Sequence, residues 1–306
     1  MSNTVLCMRH VLWAPAVAML LGASAQGAEP SVTDSHQPGV AIGMPAGSAP
    51  PAGVFFRLAP SYYDYDMADG AGHSNGTHVT TTSLTPSLLW STGWEVLGAQ
   101  TYMLANMPLV DIHVRSPMIR QDSTGLSNIY LSPLNLSWTL APGVFVSAGL
   151  GVYLPWGNGG AGSDFTTFEP QIAFSYLRDD WNLTVGAYYD TNGRNALTHY
   201  TTGDRLYLDI TATKKFDGWE IGPVGYVVDQ TTSDENAGMA YGPFKPTFGK
   251  VQRIALGGLI GTQLGPVTVK AHVTAEVYAR NGADGVRSWL SLSLPLWMDG
   301  GAKPAP

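Results

Sequence analysis

The chain has 306 residues, with 16 Lys and Arg against 23 Asp and Glu, a formal charge of −7, and charged residues make up only 13% of it. That charged fraction is about half the share usual in soluble domains, and the negative balance argues against nucleic acid as a partner. A single cysteine, Cys7, excludes a disulfide framework, and the lack of a long apolar run after the N-terminal segment excludes helical membrane spans while leaving strands free to cross a bilayer.

Residues 1–25 carry Arg9 and His10, then the apolar run VLWAPAVAMLLGASA, with the small residues Ala23 and Ala25 placed for cleavage after Ala25. A charged start, a short apolar core and a small-residue cleavage site describe an export signal rather than a membrane helix. Cleavage removes Arg9 and no acidic residue, so the formal charge moves from −7 to −8, and Cys7 leaves with the signal. Residues 26–52 are rich in Pro, Gly, Ala and Ser and sustain no strand or helix period. They read as an extended or mobile periplasmic segment, placed to enter and partly plug the domain C-terminal to it.

From Gly53 to Trp297 the chain alternates strand-like runs with turn signals, so the fold class is all-β. The runs are twelve: 53–66, 79–91, 94–107, 124–139, 144–156, 165–178, 181–190, 200–216, 219–231, 251–264, 266–280 and 286–297. Each is long enough for the roughly 9 to 11 tilted residues that cross a bilayer. Tight turns centred on STG, APG, RDD, DG and GP alternate with longer polar loops such as MADGAGHSNGTH and TSDENAGMAYGPFKPTFGK. Short turns on one side and long loops on the other is the asymmetry of an outer-membrane barrel with its short side in the periplasm. Trp90, Trp94, Trp138, Trp181, Trp219 and Trp297 all fall at the short-turn ends, as an interfacial aromatic girdle requires.

The stretch VTVKAHVTAEVYAR, residues 267–280, states the strand pattern most fully. One parity is aliphatic throughout (Val267, Val269, Ala271, Val273, Ala275, Val277, Ala279), and the other holds Thr268, Lys270, His272, Thr274, Glu276, Tyr278 and Arg280. Successive strand side chains point to opposite faces, so the pattern fits lipid on one side and a polar lumen on the other. Near the end Leu290, Leu292, Leu294 and Leu296 make a lipid-facing column, with Trp297 one residue out of phase and the tail 298–306 beyond it. The barrel-assembly machinery is then expected either to read a signal ending at Leu296 or Trp297 or to tolerate the tail in the periplasm.

Several spaced motifs, in order, carry a family resemblance: TGLSNIYLSPLNLSW (124–138), GLGVYLPWG (149–157), FEPQIAFSY (168–176), YDTN (189–192), YTTGDRLYLD (200–209) and GYVVDQTTSD (225–234). Together they resemble the outer-membrane proteins grouped under MetA-pathway of phenol degradation. The resemblance extends from about Gly53 to Trp297. It implies a twelve-stranded transmembrane antiparallel β-barrel that passes aromatic or other hydrophobic small molecules.

Catalytic signals are weak by comparison. The sequence has no GxSxG, no HExxH and no paired metal-ligand spacing. GNGGAG (157–162) matches a dinucleotide pattern, but SDFTTF leads on into a strand rather than a helix, so it reads as a loop. His73 and His78 share the first long loop with Asp66 and Asp69 and read as solvated residues rather than a metal site. The informative polar set is Lys270, His272, Glu276, Tyr278 and Arg280 on one strand, and Arg205, Tyr207, Asp209 and Lys215 on another. With Glu169 and Tyr102 these are the candidate lining of a solute path. Mixed signs, rather than a ring of one sign, suit small uncharged or weakly charged solutes.

The expectation is therefore an exported barrel, residues 53–297, sited in the outer membrane of a Gram-negative bacterium. It is expected to act as a passive channel for small hydrophobic or aromatic molecules, with membrane lipid, the solute and the barrel-assembly machinery as partners. No cofactor, metal or nucleic acid is implied. Two alternatives stay open. One is a lipid-modifying hydrolase using Glu169, Asp209 or Glu276 with His113 or His199, neither of which has an evident Ser partner. The other is a structural or adhesive barrel with a sealed, ion-paired interior.

Overall fold

The computed structural model describes residues 34–299 apart from 118, 119, 241 and 246. The signal reading of residues 1–25 and the end of the tail, 300–306, lie outside the described residues. Fourteen strand segments form one antiparallel sheet that closes on itself, because the first segment pairs with both the second and the last. Two walls are interrupted strands, which leaves a barrel of twelve. These are β1 (Gly53–Ala68), β2 (Ser74–Val96), β3 (Ala99–Asn106, continued by Leu109–Arg115), β4 (Arg120–Leu126, continued by Ile129–Ala141), β5 (Val144–Leu154) and β6 (Thr167–Tyr176). The circuit continues with β7 (Trp181–Asn192), β8 (Arg205–Phe216), β9 (Trp219–Gln230), β10 (Gln252–Leu264), β11 (Val267–Arg280) and β12 (Ala283–Met298). The break in β3 falls at Pro108, which has no N–H for a ladder. Its carbonyl accepts from Ser127 N at 2.8 Å and so keeps the interrupted β3 and β4 aligned. Closure leaves no unpaired edge, the condition for a sheet to sit in lipid.

The hairpins at one end are two-residue turns. Leu97–Gly98, Asp179–Asp180 and Asp217–Gly218 have positive φ at both residues, the mirror-image turns whose twist matches that of the flanking strands. Pro142–Gly143 and Gly265–Pro266 put the glycine alone at positive φ. The first of these corrects the sequence reading. STG lies inside β2, whose pairing with β3 shifts register between Ser91 and Glu95, and the chain reverses only at Leu97–Gly98.

The second correction concerns 108–123, read from sequence as loop. Leu109–Arg115 pairs with Arg120–Leu126 as a ladder rising beyond the girdled belt. There the polarity inverts: Val79, Val110 and Ile112 are packed inside, while Asp111, His113 and Asp122 lie exposed or half-exposed on the outside. His113 pairs with Asp122 at 2.7 Å and with Asp111 at 3.1 Å, and Arg115 pairs with Asp122 at 2.6 Å. Charges on the outer face mark wall that water rather than lipid surrounds. Third, β8 begins at Arg205 rather than at residue 200. Tyr200–Thr201 pairs instead with Glu235–Asn236, tying two long loops together.

Within the belt, the outer face is aliphatic and aromatic and largely exposed, including Leu88, Leu134, Ile172, Val185, Leu256, Ile260, Val273 and Leu290. Trp90 and Trp94 meet edge to face at 6.1 Å, and Trp94 is 62% exposed. Trp138 Nε1 donates to Leu97 O at 3.0 Å, and Lys214 Nζ lies 5.2 Å over the Trp181 ring. Trp138 and Trp181 thus meet a polar group at the turn-end rim, as interfacial indoles do.

Candidate functional site: an occupied lumen

Among the inward-facing charges of the lumen, two groups differ in sign. Glu169 on β6, Asp190 on β7 and Asp209 on β8 form an acidic side. Arg205 on β8, Arg253 on β10 and Arg287 on β12 form a basic side, and all six residues are buried. The same lumen is lined by the buried tyrosines Tyr63, Tyr130, Tyr153, Tyr188, Tyr207 and Tyr226. Gly151 makes room for one of them, since a side chain there would meet the Tyr130 hydroxyl and ring at 2.3–2.5 Å.

These groups are buried because residues 34–50, read from sequence as a periplasmic segment able to plug the barrel, run through the lumen. The segment coils in successive turns, with Val40 N donating to Gln37 O at 3.0 Å, Ile42 N to Gly39 O at 3.1 Å and Met44 N to Ala41 O at 3.0 Å. Gly39 and Gly43 sit at φ +85° and +80°, where any other residue would be strained. The wall takes up the remaining backbone groups, as buried N–H and C=O require. Gly39 N and Ala41 N donate to the two oxygens of Asp209 at 2.8 and 2.9 Å. Gly43 N donates to Thr211 at 2.8 Å and Gly47 N to Ser175 at 2.9 Å. In return Lys270 Nζ donates to Gly43 O at 2.6 Å and Arg57 to Val40 O at 2.8 Å. Ile42 joins Val224 and Leu259 in a small apolar cluster on the wall.

Two residues of the segment engage both charged sides. Asp34 bridges Arg205 and Arg253, one carboxylate oxygen to each, with Tyr207 Oη 3.5 Å away. His36 Nδ1 donates to Glu169 Oε2 at 2.8 Å, its Nε2 lies 3.9 Å from Asp209 Oδ2, and its backbone N donates to Asp190 Oδ2 at 3.2 Å. The imidazole lies between Tyr188 and Tyr207, with ring centroids at 4.3 and 4.9 Å.

Of the residues singled out from sequence, Glu169, Arg205, Tyr207, Asp209, Lys270, His272 and Glu276 point into this lumen. Tyr102 shares the inner face, opposite Ser91 and Asn135. Lys270 pairs with Glu220 at 2.7 Å, Glu276 accepts from Tyr63 Oη at 2.6 Å and from Tyr226 Oη, and His272 lies beside Trp289. Lys215 keeps the inward parity of β8 but is exposed at the strand's turn end.

Tyr278 and Arg280 are a correction: they face outward. The β10–β11 pairing shifts register after Ile254, so Ala255 pairs with Glu276 but Ile254 with Tyr278, and Val277 bulges. One extra residue flips the parity. Ala279 turns inward and is buried, while Tyr278 is exposed with the Arg280 guanidinium 5.5 Å over its ring. The bulge opens a cleft of about 300 Å³ at the long-loop rim, between Ala71–Gly72 and Glu276–Arg280.

Sequence reasoning missed Arg57, Asp190, Arg253 and Arg287, each the lone charge on the inward parity of its strand; for Arg57, Asp190 and Arg287 that parity carries other polar residues and was the signal available, whereas Arg253 shares its face with Ala255, Gly257 and Leu259. It also missed Asp34 and His36. Their segment has no period, because the wall rather than its own sequence dictates its path. Among the other candidates, the His113 ring is paired to carboxylates on the outer face, and Asp69 is taken up by its own turn, accepting from Ala71 N at 2.8 Å and His73 N at 3.0 Å.

The family model described as "Putative MetA-pathway of phenol degradation" matches residues 64–292. The chain belongs to this family. Among solved structures it is similar to the COG4313 outer membrane channel from Pseudomonas putida F1, with a TM-score of 0.70 at 11% identity over 85% of this chain and 99% of that one. Likeness to the translocator domain of the autotransporter NalP from Neisseria meningitidis is weaker, with a TM-score of 0.49 at 11% identity over 82% of this chain and 91% of that one. No curated protein matches the chain. At 11% identity the likeness to the first of these speaks for the fold, a closed twelve-stranded antiparallel β-barrel.

Proposed function

We propose that this family member is a passive outer-membrane channel for small hydrophobic or aromatic molecules, held closed by its own N-terminal segment. One observation carries the reading: the lumen is filled by a separate, small-residue segment rather than by side chains of the wall. Eight strands enclose just enough space for wall side chains to fill, and wider barrels enclose a space. A barrel built only as a scaffold would gain nothing from Asp209, Thr211, Ser175 and Lys270 side chains whose hydrogen bonds go to a removable occupant. The family description and the channel to which the fold is similar support the same reading. It requires no turnover and no cofactor. Export by cleavage after Ala25, insertion by the barrel-assembly machinery and a surrounding of membrane lipid belong to the same proposal.

The test is single-channel recording on the full mature chain and on a variant lacking residues 34–49. The intact barrel should conduct little. The deletion should conduct more, and small aromatics should block its current where sugars of equal size do not. A deletion barrel that folds, as judged by its heat-dependent mobility shift, yet neither conducts nor responds to aromatics would sink the proposal.

A further inference from the structure

The contacts of Asp34 and His36 describe more than a plug. Two residues apart, at most about 7 Å along an extended chain, they offer a carboxylate to the basic side of the lumen and a ring nitrogen to the acidic side. The carboxylate is received by two guanidiniums, Arg205 and Arg253. The ring is received by two tyrosine faces and by Glu169 at 2.8 Å. Every element that receives them belongs to the barrel wall and stays there if the segment withdraws. Without an occupant the wall would lose the carboxylate that pairs Arg205 and Arg253 and the donor that pairs Glu169, a state that favours a solute supplying both.

The fit of the native occupant is also incomplete. His36 Nε2, Asp190 Oδ1 and Arg253 Nε are buried without a hydrogen-bond partner, so polar capacity at this level exceeds what Asp34 and His36 use. A ring with a donor placed farther from its carboxylate could reach Asp190 as well as Glu169.

We infer that this level of the lumen is a two-pole solute subsite for small aromatic compounds that carry a carboxylate at one end and a hydrogen-bond donor or positive nitrogen at the other, and that Asp34 and His36 occupy it in the solute's stead. The inference rests on the channel reading and narrows its solute class, from hydrophobic aromatics in general to aromatic acids with a polar far end. Arg205 and Arg253 take the carboxylate, Tyr188 and Tyr207 take the ring, and Glu169 with Asp190 takes the donor. Guanidinium pairs select carboxylate geometry, and the two tyrosine rings, tilted 31° and 36° to the imidazole at 4.3 and 4.9 Å, favour an aromatic ring between the poles.

The experiment is binding in detergent micelles, which needs no transport. In the full mature chain Asp34→Ala is combined with His36→Ala, and 4-hydroxybenzoate and imidazole-4-acetate are titrated by calorimetry beside phenol and acetate as half-ligands. The variant should bind the two-ended compounds at least tenfold more tightly than either half-ligand, and more tightly than the unaltered chain does. Adding Arg253→Gln should abolish that preference. Equal binding of phenol and 4-hydroxybenzoate, or no binding by a folded variant, would overturn the subsite. If the double variant does not fold, His36→Ala alone is heated with and without imidazole. A rise in melting temperature given by imidazole and not by acetate supports the subsite, and no rise rejects it. A barrel that binds but never conducts removes the channel reading alone, whereas one that conducts aromatics without this preference removes the subsite alone.

Discussion

At the scale of single residues, Asp209 holds the middle of the lumen segment to the wall. Both its oxygens accept backbone N–H groups, from Gly39 and Ala41 at 2.8 and 2.9 Å, while Thr211 receives one from Gly43 at 2.8 Å. Hydrogen bonds to a charged acceptor contribute about 1.5–3 kcal/mol each, against about 1 kcal/mol for a neutral pair. Asp209→Ala should therefore raise the open fraction of single channels well above that of Thr211→Val, and equal effects would show that the segment is held elsewhere. On the opposite face of the wall the governing solvent is lipid. Val273 is 49% exposed on the outer face of β11, one residue from the buried Thr274. Val273→Arg should lower folding stability in a urea titration by about 2–4 kcal/mol if the site is near the bilayer midplane, with Val273→Leu close to neutral.

At the scale of elements, the bulge at Val277 shows where alternation was legible and where it stopped. From Val267 to Glu276 the two faces could be read directly, and the ladder keeps them. Beyond it Ala279 is small enough to suit either face, and Tyr278 and Arg280 are as much at home at an interface as in a lumen, so nothing in the residues announces the flip. Cysteine in place of Tyr278 should react with a bulky maleimide in the folded barrel, and cysteine in place of Ala279 should not. The reverse would restore the unbroken alternation. The upper hairpin of β3 and β4 was hidden for a related reason. Its polarity is inverted, with Val110 and Ile112 inside and Asp111 and Asp122 outside, so a pattern sought for lipid outside does not find it. The strand count survived both faults because turn chemistry is local: Pro142–Gly143, Asp179–Asp180, Asp217–Gly218 and Gly265–Pro266 each close a hairpin where their residues suggested.

At the scale of the whole molecule, the turn ends, the tryptophan rim and the path of the lumen segment describe one orientation. The two-residue turns share an end with the exposed indoles of Trp90, Trp94, Trp181, Trp219 and Trp297, and Pro50 O accepts from Ser91 Oγ at 2.8 Å there, where the segment joins β1. From that end the segment runs the other way, so that Asp34 meets Arg205 and Arg253 near the long-loop ends of β8 and β10. The occupant therefore spans most of the barrel's depth rather than capping its mouth, and closure depends on contacts along the whole wall. Since short turns belong on the periplasmic side of such barrels, the long loop between β9 and β10 should face the medium. Cysteine in place of Ala240, in that loop, should be labelled on intact cells by a membrane-impermeant reagent, while cysteine in place of Pro142, exposed in the β4–β5 turn, should be labelled only after the outer membrane is opened. The mature chain on the proposed cleavage has no other thiol, so the signal is unambiguous. Labelling of Pro142→Cys alone on intact cells would invert the barrel, and it would place the entry of the lumen segment at the cell surface.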